Sequence, residues 1–450
     1  MSQSNYEHND VTREQTAPAA EQTSEHHHSH HHHHHHHSSH RRRKKSKLQK
    51  FWQKRKKLLI NLSAGVVALL IVLCLLLWNP SHREQTSGQK GETVSSSAET
   101  TVPEIVTKTI DIQVPLFEEE LVLVSDAVNT CVKADPREDV MALLMPYQEL
   151  EQRLDIGLPV RISFEVNGLP NHLSIVSSQV EVSEREDFSA SRRYSLGADA
   201  RDVDVYFLKT GTQYYYRITI TMSDRSVTVV QRSFKTAESP RVLSLDGVVN
   251  VRDVGGWKTA DGKTVRQGLL YRGSELDGAV EPSYCATDKA VEQMLTVLGI
   301  RTELDLRGSA ENPKNIQTLG ANVEHTYFGL PMYSELFSAW GDRAIRNLFA
   351  ELADERNYPA YMHCTYGMDR TGTACFLLGA LLGVSEDDLM RDYNLSALYH
   401  GRLNSDDMSD FVAAMRTKHG VTMQEKVEGY LLSVGVTEQE IEQIRTIFLQ

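Results

Sequence analysis

"PAYMHCTYGMDRTGTACFLLGALLGV", Pro359 to Val384, joins a short apolar strand-like run to an apolar run of helical length. A strand that turns directly into a helix leaves backbone N–H groups unpaired at the helix start. Those donors and the helix dipole make an anion site. The reading places the loop at Cys364–Arg370 and the helix start near Thr371. Gly367 lets the chain curl tightly, and Gly372 lets the helix pack closely. Arg370 can fork two hydrogen bonds onto phosphate oxygens. Cys364 falls at the base of the cup, where the positive field favours a thiolate and His363 is a neighbouring dipole or donor. Cys364, Thr365, Tyr366, Gly367, Met368, Asp369 and Arg370 are therefore the candidate phosphate-binding set, with Cys364 as the nucleophile.

The surroundings agree with an α/β domain over residues 241–450. Helix-like "DKAVEQMLTVLG" precedes strand-like "IRTELDLR"; then come strand "NVEHTYF", helix "SELFSAWGDRAIRNLFAELADE" and the strand before the loop. The tail is helical. Strands alternating with helices imply a mostly parallel sheet covered by helices.

The spacing Cys-x5-Arg-Thr behind a His resembles the signature loop of cysteine-dependent protein tyrosine phosphatases. "NVRDVGGWKTADGKTVRQGLLYRGSEL" (250–276), "GIRTELDLRG" (299–308) and "GVTEQEIEQIRTIFLQ" (435–450) resemble the bacterial branch whose mycobacterial member also acts on lipids. That branch usually reads His-Cys-x-x-Gly-Lys-Asp-Arg-Thr-Gly. This chain matches except at Met368, where Lys is usual. Losing that point charge favours a simple monoester such as phosphotyrosine over multiply phosphorylated lipids.

The resemblance implies roles. Cys364 attacks phosphorus and forms a cysteinyl-phosphate, Arg370 clamps the equatorial oxygens, and Thr371 donates its hydroxyl to the thiolate. Two aspartates compete for the general acid: Asp369 inside the loop, and Asp305 at the end of "ELDLR", which assists or merely pairs with Arg307. Arg252 and Asp253 reach the cup or form an ion pair bracing it. Cys375, among Ala and Phe, reads as core. No metal or other cofactor is needed, since thiolate, arginine and backbone donors supply the electrostatics. No Walker or GxGxxG nucleotide signature is present.

Residues 104–240 read as all-β. "PVRISFEV", "DVDVYFL", "YYYRITITM" and "VTVVQRSFKT" alternate with period two between turn-formers. "LKTGTQYYYRITI" (208–220) and "FKTAESP" (234–240) resemble the last strands of a fibronectin type III domain, best over 157–237, with Tyr214 as its corner tyrosine. Residues 104–156 fit less well; "EELVLVSD" is expected to add a strand and "REDVMALLMPYQELEQRL" a helix. The fold implies no chemistry by itself; a spacer, or a site for a surface ligand, is the default.

Before this domain, residues 58–78 run 21 positions without a charge, long enough to cross a bilayer as a helix. Eleven basic residues between Arg41 and Lys57 mark the amino-terminal side as cytoplasmic. The expected order is a disordered tail (1–57), a transmembrane helix (58–78), a Ser/Thr-rich stalk (79–103), the β-sandwich and the catalytic domain, both outside the cell. Twelve of the nineteen histidines lie between His26 and His40, which reads as a low-complexity tail rather than a dedicated metal site. Residues 1–57 hold twelve of the 48 Lys/Arg but five of the 60 Asp/Glu, so the remainder is strongly acidic and unsuited to nucleic acid. Five cysteines fit neither a zinc site nor a disulfide framework. The expected substrate is a phosphorylated protein or small phosphomonoester. Two rivals stand beside it: a phosphatase for inositol phosphates or phosphoinositides, since cysteine phytases share the loop, and a catalytically silent adhesion protein. Intact Cys364, Asp369 and Arg370 argue against the last.

Overall fold

The computed structural model describes residues 110–147, 153–312 and 314–450. The expected tail, span and stalk lie outside these. Among the described residues no helix is long and apolar enough to cross a membrane. The described residues all fall within one compact unit, Pro103–Gln450.

Its first part is β1 (Asp111–Gln113), α1 (Asp126–Lys133), α2 (Val140–Leu144), β2 (Val160–Ser163), β3 (Glu165–Asn167), β4 (Ile175–Ser183), β5 (Arg192–Leu196), β6 (Asp202–Val205), β7 (Gln213–Met222) and β8 (Val227–Lys235). The larger sheet has the order β5-β4-β7-β8 and is antiparallel; β2 pairs with β6 and β1 with β3, also antiparallel. β7 alternates strictly, with Tyr214, Tyr216, Ile218, Ile220 and Met222 buried. They share one core with Val160 and Ile162 of β2, Val205 of β6 and Val180 of β4, each large apolar side chain contributing about 1.5–3 kcal/mol of burial. The Tyr214 hydroxyl accepts the Lys209 N–H at 2.8 Å, five residues upstream, the geometry of a tyrosine corner.

One expectation fails here. "EELVLVSD" forms no strand, only isolated bridges at Leu121 and Val124, because Ser125 caps α1 by accepting the Val128 N–H and turns the chain into a helix. The helix expected over 137–154 is present as α2, Val140–Leu144, and tightens into a 3-10 turn at Met145–Tyr147, since Pro146 has no N–H to continue it; residues 148–152 of that span lie outside the described residues.

The second part holds β9 (Arg252–Asp253), β10 (Leu270–Gly273), α3 (Asp288–Thr296), β11 (Thr302–Asp305), β12 (Glu324–Tyr327), α4 (Ala339–Leu352), β13 (Ala360–His363), α5 (Asp369–Leu381), α6 (Glu386–Asn394), α7 (Ala397–His400), α8 (Ser405–Arg416), α9 (Met423–Ser433) and α10 (Glu438–Phe448). The sheet order is β12-β11-β13-β10-β9. Its first four strands are parallel and β9 is antiparallel. α5 starts two residues earlier than expected, and all thirteen of its residues are buried. A helix without a polar face belongs at a domain centre.

The two main cores lie on either side of residue 241, and a smaller cluster crosses that boundary. Val124, Ala127, Val128, Val140 and Leu144 pack with Val242, Leu395, Ala397 and Leu398. Asn394 Nδ2 donates to Pro136 O at 3.0 Å and Arg391 Nε to Ala134 O at 3.2 Å. The buried Arg241 donates to Phe207 O, Leu208 O and Asp253 Oδ2 at 2.8, 3.0 and 2.7 Å.

Candidate active site

The central strand β13 delivers Cys364 to the carboxyl edge of the sheet, where α/β folds present their sites. The loop Cys364–Met368 then enters α5. Gly367 sits at φ +66°, and a Cβ there would lie 2.4 Å from the Gly273 backbone. A Cβ on Gly372 would lie 2.9 Å from Tyr393. The two glycines thus do what the sequence reading asks of them.

The carbonyls of this loop are all tied from outside. Cys364 O faces His363 Nδ1 at 3.2 Å, and Thr365 O accepts Glu275 N–H at 3.1 Å. Tyr366 O accepts Asn250 Nδ2 at 3.2 Å and His400 Nε2 at 2.9 Å. Gly367 O accepts Arg272 Nη2 at 2.8 Å, and Met368 O accepts Gly372 N–H at 2.8 Å. Among the described residues the N–H groups of Thr365, Tyr366, Gly367 and Met368 have no acceptor. A planar peptide with its carbonyl held outward turns its N–H the other way. The result is a nest of donors for an anion, with Cys364, 2% exposed, within the same turn.

Arg370 is 8% exposed. It donates to Glu311 Oε2 at 2.7 Å and Oε1 at 2.9 Å, while its Nε is buried without a partner among the described residues. The Thr371 hydroxyl is also buried and without a partner among the described residues, so the expected bond to the Cys364 sulfur is not formed. Met368 is 1% exposed and packs in the core cluster that also holds Cys364. Asp369 Oδ1 accepts the Tyr333 hydroxyl and, at 2.6 Å, Asn404 Nδ2. Tyr333 OH also meets Tyr393 OH at 2.8 Å. Neither bond to Asp369 uses Oδ2.

Asp305 is fully buried and closed into an ion-pair network with Arg307, which also binds Glu275 and Asp277. Burial alone would raise the Asp305 carboxyl, but His363, His325 and Arg307 hold it well below its ordinary range. An assisting acid needs a proton to give, so the pairing alternative describes this residue. Burial works against a charged His363, yet Asp305 and Glu303 outweigh it and push the ring up to about 9. Glu303, Asp305 and His363 lie close enough to share an ion. Arg307 already covers both Asp305 oxygens, so that carboxylate is already paired within the protein.

Arg252 and Asp253 do not pair with each other or touch the cup. Arg252 binds Asp392 at 2.7 Å and Asn250 Oδ1 at 2.6 Å, and Asp253 binds Arg241. Arg252 braces the loop indirectly, because Asp392 also holds Arg272. Cys375 is buried in the core, and burial pushes its thiol up to about 11. Cys131, Cys285, Cys364 and Cys375 are all free. The sequence reading missed Arg272, Asn250, Glu275, His400, Tyr333 and Asn404; of these, Asn250, Arg272 and Glu275 stand in the segment 250–276 that carries the family resemblance.

Residues 243–450 match the model of the tyrosine phosphatase family. A tyrosine-protein phosphatase of Nostoc commune is 24% identical over 201 residues, covering 34% of this chain and 67% of that protein. A Cupriavidus necator protein named as a candidate tyrosine-protein phosphatase is 29% identical over 175 residues, 34% of this chain and 61% of its own length. Two solved structures align at a TM-score of 0.24. The catalytic core of the S. cerevisiae PP-IP phosphatase SIW14 with citrate is 16% identical, covering 32% of this chain and 79% of that one. P. aeruginosa TpbA is 20% identical, covering 40% and 96%. The family match and the named relatives support a protein-tyrosine phosphatase.

Proposed function

We propose that this chain is a membrane-anchored, cysteine-dependent phosphatase that hydrolyses phosphate monoesters, phosphotyrosine first, through a cysteinyl-phosphate intermediate. The observation that carries the reading is the loop whose carbonyls are all tied outward and whose N–H groups have no acceptor among the described residues. A phosphate seated there takes those donors and Arg370 Nε, which is likewise without a partner among the described residues. Cys364 Sγ attacks phosphorus as the P–O bond to the leaving group breaks. Asp369 gives that oxygen a proton from Oδ2. Asp369 then takes a proton from water as the water oxygen attacks phosphorus, the S–P bond breaks and the thiolate returns. The donors act where charge develops and need no reorganisation.

The tyrosine corner at Tyr214 supports a fibronectin type III-like domain as the spacer between membrane and catalyst. The uncharged run 58–78 behind its basic flank supports an amino terminus inside the cell and a catalytic domain outside it.

The test is to quench the full-length enzyme during turnover of a 32P-labelled phosphotyrosine peptide. Label bound to Cys364 is expected and should persist longer in Asp369→Asn. Label on another residue, or none with turnover intact, contradicts the mechanism.

A further inference from the structure

We propose that Asp155, in the segment preceding the phosphatase domain, is a positioning residue for the phosphate-binding loop. The proposal rests on the phosphatase reading above and names a residue outside the matched region 243–450.

Asp155 is 3% exposed. Arg153 grips its carboxylate with two bonds, of 3.0 and 2.8 Å. Asp155 Oδ2 accepts the Asn250 N–H at 2.8 Å, and Arg153 Nη1 donates to Val248 O at 3.2 Å. The pair thus clamps the turn leading into β9 at two points. Asn250 is held at φ +57°, a left-handed conformation that Asn tolerates better than most residues but that still needs support. From there its Nδ2 reaches the Tyr366 carbonyl. The other donor to that carbonyl, His400, packs against Tyr399 at 5.2 Å between ring centroids, and the Arg153 guanidinium lies 5.4 Å over the Tyr399 ring.

Both supports of the Tyr366 carbonyl therefore lead back to Arg153 and Asp155. That carbonyl belongs to the peptide whose N–H is Gly367, so its rotation would turn a phosphate donor away. Asp155 touches neither the loop nor a bound anion itself; it acts through Asn250.

The test uses the full-length chain. Asp155→Ala is expected to lower kcat on p-nitrophenyl phosphate about tenfold and to weaken inhibition by inorganic phosphate by a similar factor, since small misplacements of such groups are costly. Asp155→Asn keeps an acceptor for the Asn250 N–H and should recover most of the loss. Glu181→Ala, which removes the buried carboxylate that pairs with Arg193 and Arg217 within the β-domain, should lower the thermal midpoint and leave kcat and phosphate inhibition unchanged. The proposal is overturned if Asp155→Ala matches the parent, or if both alanine variants lose activity in proportion to stability. Should Asp155→Ala fail to fold, Arg153→Ala, which frees the same carboxylate, is read by the same criteria. An inactive parent enzyme would sink the phosphatase reading instead.

Discussion

Asp369 has one oxygen held and one not taken up by Tyr333 or Asn404. That suits a residue that must give and retrieve a proton at a fixed place. Asp369→Asn is expected to lower kcat by roughly 10²- to 10⁴-fold on phenyl phosphate and far less on p-nitrophenyl phosphate, whose anion leaves without protonation. Equal losses on the two esters would assign the acid elsewhere. His363 carries a different consequence. Its folded value, about 9, lies above the ordinary 6.5. Its contribution to stability is therefore fully present below about pH 6.5 and is lost as pH rises through 9. The thermal midpoint should fall across that window in the parent and stay flatter in His363→Asn; parallel profiles would contradict it. The candidate set of Cys364, Asp369 and Arg370 could be picked out from the sequence because the three stand within seven consecutive residues. Tyr333 and Asn404 stand 36 and 35 residues from Asp369 and carry no pattern, so only the fold reveals them.

The functional element is the strand–loop–helix unit of β13 and α5. Its shape was legible from composition alone: a short apolar strand, two glycines, then an apolar run with no polar face. What orients it was not. Asn250 lies 116 residues from Tyr366, and Arg272 lies 95 residues from Gly367. Those bonds exist because β10 pairs beside β13. Local sequence cannot show such pairing. Gly367→Ala tests the element as a unit. The added methyl would meet the Gly273 backbone at 2.4 Å in a left-handed conformation, so the loop must shift. Inorganic phosphate affinity should fall at least about tenfold, as displaced donors lose alignment. Calorimetry showing unchanged affinity would contradict the tight-cup account.

At the scale of the molecule, the β-domain and the catalytic domain share contacts that no boundary in the sequence announces. The change from period-two alternation to α/β pattern near residue 241 was legible. The packing of α1 and α2 on α6 and α7 was not, because short helices in a β-rich stretch give weak periodicity. A fragment beginning at 241 would expose Val242, Leu395, Ala397 and Leu398. Its thermal midpoint is expected to lie roughly 5 °C or more below that of a 103–450 fragment, at about 2–4 °C per kcal/mol for domains of this size. Equal midpoints in calorimetry would show that the two parts are energetically independent. The central claim is chemical, and one measurement meets it most directly: hydrolysis of a phosphotyrosine peptide by the full-length chain in the presence of a chelator, beside Cys364→Ser. The account predicts turnover in the parent and none above background in the variant. Turnover that survives Cys364→Ser, or a folded parent that leaves the peptide untouched, would contradict it.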